Sequence, residues 1–131
     1  MDLVVDTSAV ICVLVNEPQM QAVISATSGF DLVAPASLDW EVGNAMSAMF
    51  KRKQLTLVQA ELALEEFALM NVARRSPSLR RSVQISSSFN IYAYDAYMIA
   101  LAEQLNCPIL ALDEGLKRVA RQAQISIVEV P

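Results

Sequence analysis

The sequence predicts an α/β fold in three layers, with a central, mostly parallel sheet and helices covering both faces. Short runs of Val, Ile and Leu, the pattern of strands buried on both sides, alternate with segments of helical periodicity. The segment 93–105 is apolar nearly all round, as expected of a helix buried in the middle of its layer. No repeat, low-complexity tract or linker divides the 131 residues, so a single domain over 1–131 is expected.

Asp2 to Val5 reads as a short buried strand, and Ser8 to Val15 as an apolar helix that stops before Asn16-Glu17-Pro18. Pro18 suits the first position of a second helix, running to about Ser25, because the N–H it lacks would have no partner there. Gly29 ends that hairpin, and a second strand, Asp31 to Ala34, is closed by Pro35. Ser37 is placed to cap a long helix through Lys53. Thr56 and Gln59 form a capping box for a helix over Leu57 to Ala68, and Asn71 to Ala73 reads as a short strand. Ser76-Pro77 opens a helix ending near Asn90, a residue suited to the left-handed conformation of a helix C-terminus. The buried helix, Ala93 to Leu105, is stopped by Asn106 and Pro108. A strand over Ile109 to Leu112, a helix over Glu114 to Gln122 and a last strand over Ile125 to Val130 complete the chain.

Composition narrows the chemistry. Just over half of the residues are apolar, yet no run approaches the roughly 18 apolar residues of a membrane span. The start Met1-Asp2-Leu3 has no basic stretch and no cleavage site, so no signal peptide is expected and the cytoplasm is the expected compartment. Cys12 and Cys107 lack the spacing of a zinc or redox motif and read as reduced core residues. With no histidine, a His-based triad is excluded and zinc or copper sites lose their usual ligands. Carboxylates remain.

Four of them stand in apolar or small-residue surroundings: Asp6 after Leu3-Val4-Val5, Glu41 after Trp40, Asp95 between Tyr94 and Ala96, and Asp113 after Ile109-Leu110-Ala111-Leu112. An unpaired carboxylate is costly there and must be neutralised, hydrogen-bonded or bound to a cation. Asp6 and Asp113 each follow a predicted strand, where ligands of open α/β sheets bind, and neighbouring strands about 4.8 Å apart would let them converge. Glu41 and Asp95 fall in first turns of helices, which also stabilise acids without any ligand. Gathered together, however, the four repel one another. A Mg2+ or Mn2+ ion, which takes oxygen ligands, resolves that conflict. The net charge of −4 argues against a nucleic-acid partner until metals are counted: two divalent cations would bring it near zero.

The start Val4-Val5-Asp6-Thr7-Ser8-Ala9, the segment Glu41-Val42-Gly43-Asn44-Ala45, the helix Tyr94-Asp95-Ala96-Tyr97-Met98-Ile99-Ala100-Leu101-Ala102 and the turn Leu112-Asp113-Glu114-Gly115-Leu116 together resemble the PIN-domain nucleases. The chain looks most similar to the small VapC-type toxins of prokaryotic toxin–antitoxin systems, over its whole length. The resemblance implies a Mg2+- or Mn2+-dependent endoribonuclease that leaves a 5′-phosphate and a 3′-hydroxyl. Asp6, Glu41, Asp95 and Asp113 match the catalytic, metal-binding quartet, Thr7 and Ser8 its neighbouring hydroxyls, and Asn44 a polar residue one turn from the glutamate. It further implies a homodimer held inactive by an antitoxin protein, with no membrane partner. The chain departs from the family's pattern at Ala111, where members often carry Thr or Ser.

Basic residues cluster as Lys51-Arg52-Lys53, as Arg74, Arg75, Arg80 and Arg81, and as Lys117, Arg118 and Arg121. The second and third groups flank the segments bearing Asp95 and Asp113, and Arg74, Arg75, Arg80, Arg81, Lys117 and Arg118 are candidates for steering RNA phosphates. Met46, Met49 and Phe50 on one helix, and Val10, Ile11, Val13 and Leu14 on another, read as core, with a partner interface as the alternative. Tyr92, Tyr94 and Tyr97 lie near the site but read mainly as core. A haloacid dehalogenase would carry Asp where this chain has Ser8, and a receiver domain would carry Asp where Pro35 closes the second strand. The remaining rival is a PIN-like module that binds RNA or protein without cutting.

Overall fold

Four parallel strands form the sheet in the order β3-β2-β1-β4 in a computed structural model that describes residues 1–131. They are β1 (Asp2–Val5), β2 (Asp31–Pro35), β3 (Val72–Arg75) and β4 (Ile109–Leu110). Helices α1 (Thr7–Leu14) and α2 (Met20–Thr27) follow β1, and α3 (Leu38–Lys51) and α4 (Leu57–Leu69) follow β2. Helices α5 (Leu79–Phe89) and α6 (Ala93–Leu105) lie between β3 and β4, and α7 (Glu114–Gln122) comes last.

The period of a strand divides the core in two. Leu3, Val5, Ala34, Val72 and Leu110 point to one face of the sheet, where they pack with buried residues of α1, α2, α3 and α4. Val4, Val33 and Ile109 point to the other, against α5, α6 and α7. The chain thus covers one face with its first half and the opposite face with its second. Helix α6 is central as expected: Ala96, Ile99, Leu101 and Ala102 have no exposed surface. Both cysteines are free and buried. No helix is long and apolar enough to cross a membrane.

Three local expectations need correction. The segment 125–130 does not form a strand; Ile127 alone bridges Ile109 in parallel. Ile109 N–H donates to Ser126 O and Val128 N–H to Ile109 O, and the pairing goes no further, while β4 itself stops at Leu110 rather than Leu112. Helix α2 begins two residues after Pro18, since Met20 N–H donates to Glu17 O and closes a turn around the proline first. Ser37 does occupy the cap position of α3, but its hydroxyl makes no capping bond. The capping box of Thr56 and Gln59 is present.

The apolar stripes also resolve. Val10, Ile11, Leu14 and Met46 are buried and Val13 and Met49 partly so, which makes these stripes core, while Phe50 at the end of the third helix is exposed. A further exposed apolar face lies on α4, with Val58, Leu62 and Leu69. Two helices end on left-handed asparagines as the sequence suggests, Asn90 after α5 and Asn106 after α6, with φ of 54° and 50°. Asn106→Ala should cost about 1 kcal/mol through the left-handed penalty on a Cβ, whereas Asn106→Gly should be neutral or better. Urea midpoints of the two variants, measured side by side, check this ordering.

Candidate active site

The strand order creates the site's location. Strands β2 and β3 lie to one side of β1 and β4 to the other, so a crevice opens between β1 and β4 at their C-terminal ends. Asp6 leaves β1 there, and Asp113 stands at the head of α7 just beyond β4. Glu41 enters from the first turn of α3, which follows β2, and Asp95 from the first turn of α6. All four come from the same end of the sheet. Asp6 is buried, Glu41 and Asp95 are half-buried, and Asp113 is exposed.

Each acid is held by short local donors. Asp6 caps α1, its Oδ1 accepting from Ala9 N–H at 2.9 Å and its Oδ2 from Ser8 Oγ at 2.5 Å. The Ser8 oxygen in turn accepts from Leu112 N–H, so a single hydroxyl ties the end of β1 to the chain leaving β4. Glu41 accepts from Thr7 Oγ1 at 3.1 Å and from Ser37 Oγ at 2.6 Å. Ser37 is the functional neighbour that the sequence reading missed; its spacing of four residues from Glu41 on one helix face was the available signal. Asp113 caps α7 with Oδ2 accepting from Leu116 N–H at 2.8 Å, and a Cβ at Gly115 would approach that oxygen to 3.3 Å.

No ion pair of the chain includes any of the four. Burial pushes the Asp6 carboxyl up to about 6; the Ser8 and Ala9 bonds work against this, and the charges of Asp113 and Glu41 add to it. Asp95 is also raised, first by burial and then by Asp113 and Glu41. These couplings place the carboxylates within each other's fields. No three of them, however, converge into a ready-made metal cage. The donor set still suits a hard divalent cation, and Mg2+ in particular binds through one or two carboxylates while retaining water. Asp6, Glu41, Asp95 and Asp113 are the residues that would hold it.

Around the acids, the surface departs from expectation in two ways. Trp40 is 77 % exposed and so does not shield Glu41 as its apolar character suggested. Tyr92 and Tyr94 are exposed as well, rather than core. Trp40 and Tyr94 line a cleft of about 220 Å³ with Thr7, Glu41, Asn44 and Ala45. Of the candidate phosphate contacts, Arg74 is bound through two nitrogens to Asp39 and lies over the Phe67 ring. Arg81 is similarly bound to Glu103, and Lys117 pairs with Glu114. Arg75, Arg80 and Arg118 are exposed and make no ion pair.

A parallel sheet with acids gathered at one end defines a class, and the PIN domain description matches residues 3–122, so the chain belongs to the PIN-domain family. Among its relatives is Ribonuclease VapC9 of Mycobacterium tuberculosis, 32% identical over 131 residues and covering 98% of both chains. Ribonuclease VapC3 of the same species is 31% identical over 117 residues, covering 88% of this chain and 85% of its own. Two solved structures share the fold. PAE2754 from Pyrobaculum aerophilum has a TM-score of 0.69 at 16% identity, covering 98% of this chain and 92% of its own. FitAcB from Neisseria gonorrhoeae has a TM-score of 0.67 at 16% identity, covering 97% and 96%.

The raised Asp6 has a thermodynamic signature in metal-free protein. A folded pKa above the unfolded value of 3.8 means that the folded state holds the proton more tightly. The resulting stabilisation is complete below about pH 4 and is lost as pH rises through about 6. The loss attributable to Asp6 is on the order of 3 kcal/mol. Asp6→Asn should remove this component, so its stability advantage over the wild type should grow between pH 4 and pH 7. Urea denaturation in EDTA across that range measures the difference; parallel pH profiles would exclude the assignment.

Proposed function

We propose that the chain is a metal-dependent endoribonuclease of VapC type, the toxin of a toxin–antitoxin pair. The observation that carries this reading is the set of four carboxylates at the C-terminal end of the sheet, unpaired by any protein cation, in a chain whose relatives are named ribonucleases. One or two Mg2+ or Mn2+ ions held among Asp6, Glu41, Asp95 and Asp113 would, when bound, activate water and offset the charge that develops on the scissile phosphate.

The protein's own contribution is positioning. Thr7 and Ser37 donate to the two oxygens of Glu41 and hold the carboxylate at the start of α3. Ser8 orients Asp6 and sets its distance from the β4 end, which carries Asp113. A serine hydroxyl thus already braces the place where Ala111 lacks one. Asp95, to which no protein group donates, is left to meet a ligand through both oxygens. With no histidine in the chain, no side chain of the usual type serves as general base at neutral pH.

Arg75, Arg80 and Arg118 remain as the arginines for steering phosphates, since their three companions are engaged in ion pairs. The exposed Val58, Leu62 and Leu69 of α4 offer an apolar face for the antitoxin or for a second copy in a homodimer. A cytoplasmic location follows from an RNA substrate of this kind.

Asp6→Asn and Asp95→Asn should each reduce RNA cleavage by at least a hundredfold while preserving the fold. Wild-type cleavage in Mg2+ or Mn2+ should disappear on adding EDTA and return with excess metal. Cleavage by either variant at the wild-type rate, or cleavage indifferent to EDTA, would overturn the proposal. A folded wild-type protein that binds RNA without cutting it would point to the non-catalytic module.

A further inference from the structure

The acidic site poses a problem of affinity. Four carboxylates with no protein counter-ion repel a phosphate backbone, and three of the six candidate phosphate contacts are already bound to Asp39, Glu103 and Glu114. Bound metal would offset this repulsion, and Arg75, Arg80 and Arg118 are left for phosphates, but such charge contacts hold a backbone without engaging its bases. Base contacts need another surface.

Aromatic surface is available in the right place. Trp40, next to Glu41 in the chain, is 77 % exposed, and Tyr94, next to Asp95, is 55 % exposed. Large apolar rings left in water have no part in the core, yet these two line one cleft together with Glu41 and Thr7. The Tyr94 ring makes an edge contact with Tyr97, centroids 5.9 Å apart and planes at 79°, which favours one orientation of the ring. Asn44 lines the same cleft with an amide that can both donate to and accept from the edge of a base. At about 220 Å³ the cleft is smaller than the roughly 300–1,000 Å³ of pockets that enclose drug-sized ligands, and suits one flat ring.

We propose that Trp40 and Tyr94 form a stacking platform for one unpaired nucleobase beside the scissile phosphate, with Asn44 at the edge of that base. The proposal rests on the ribonuclease reading for its substrate. It makes the enzyme selective for single-stranded RNA or loops, because a paired base cannot leave its stack to enter the cleft without an energetic penalty. It also makes substrate affinity less sensitive to salt than arginine contacts alone would.

Trp40 is the only tryptophan, so intrinsic fluorescence reports on this cleft directly. Titrating the Asp95→Asn protein with a short single-stranded RNA should quench that emission, and the same sequence in a duplex should not. In the otherwise wild-type enzyme, Trp40→Ala should raise KM for the single strand roughly tenfold, the effect of losing one stacking partner, with kcat changed little. Trp40→Phe should restore most of the affinity. Intact cleavage with an unchanged KM in Trp40→Ala would overturn the platform and leave the nuclease standing, as expected if these rings serve a protein partner instead. Quenching by single strands in a protein that cuts no RNA would do the reverse. Equal quenching by duplex and single strand would also overturn the platform.

Discussion

Uncompensated negative charge at the C-terminal end of the sheet is the constraint from which the local architecture follows. Asp6, Glu41, Asp95 and Asp113 are brought within each other's fields by the strand order, and no lysine or arginine neutralises them. The chain answers with dipoles instead of charges. Asp6 and Asp113 each take a backbone N–H at a helix start, while Glu41 and Asp95 sit in first turns, where the macrodipole favours an acid. Three hydroxyls, from Thr7, Ser8 and Ser37, supply the remaining donors. These measures orient the carboxylates without supplying a positive charge.

The basic residues obey the opposite rule. Arg74, Arg81 and Arg121 are paired at the surface with Asp39, Glu103 and Glu129, and the buried Lys117 pairs with Glu114. Such half-exposed pairs contribute little stability. Their effect is to engage these cations with other acids, so that the four carboxylates are left without a protein counter-ion.

Much of the fold was legible in the sequence because its signals are local. The boundaries of α6 and α7, the Thr56–Gln59 box and the left-handed Asn90 and Asn106 each depend on residues within one or two turns. That Asp6 stands at the end of β1 was legible for a different reason: an acid directly after a buried strand has few places to go. Long-range pairing was not legible. Arg74 meets Asp39 across 35 residues and Arg81 meets Glu103 across 22, distances over which sequence shows charge but not partner. The segment 125–130 belongs to the same class, since its apolar alternation is local but its pairing with β4 is long-range and reduces to a single bridge at Ile109. Hydrophobicity likewise says that Trp40 and Tyr94 are apolar but cannot say that they face water.

The distribution of the acids between the two halves of the chain bears on how the protein is made. The first half carries Asp6, Glu41 and the complete set of helices for one face of the sheet, while Asp95, Asp113 and β4 arrive only with the final third. A chain emerging from the ribosome N-terminus first can bury α1 to α4 against β1, β2 and β3 before the opposite face has any cover. The Ser8–Leu112 bond joins the two halves across the crevice. The four carboxylates are therefore gathered only when both halves of the chain are packed on one sheet.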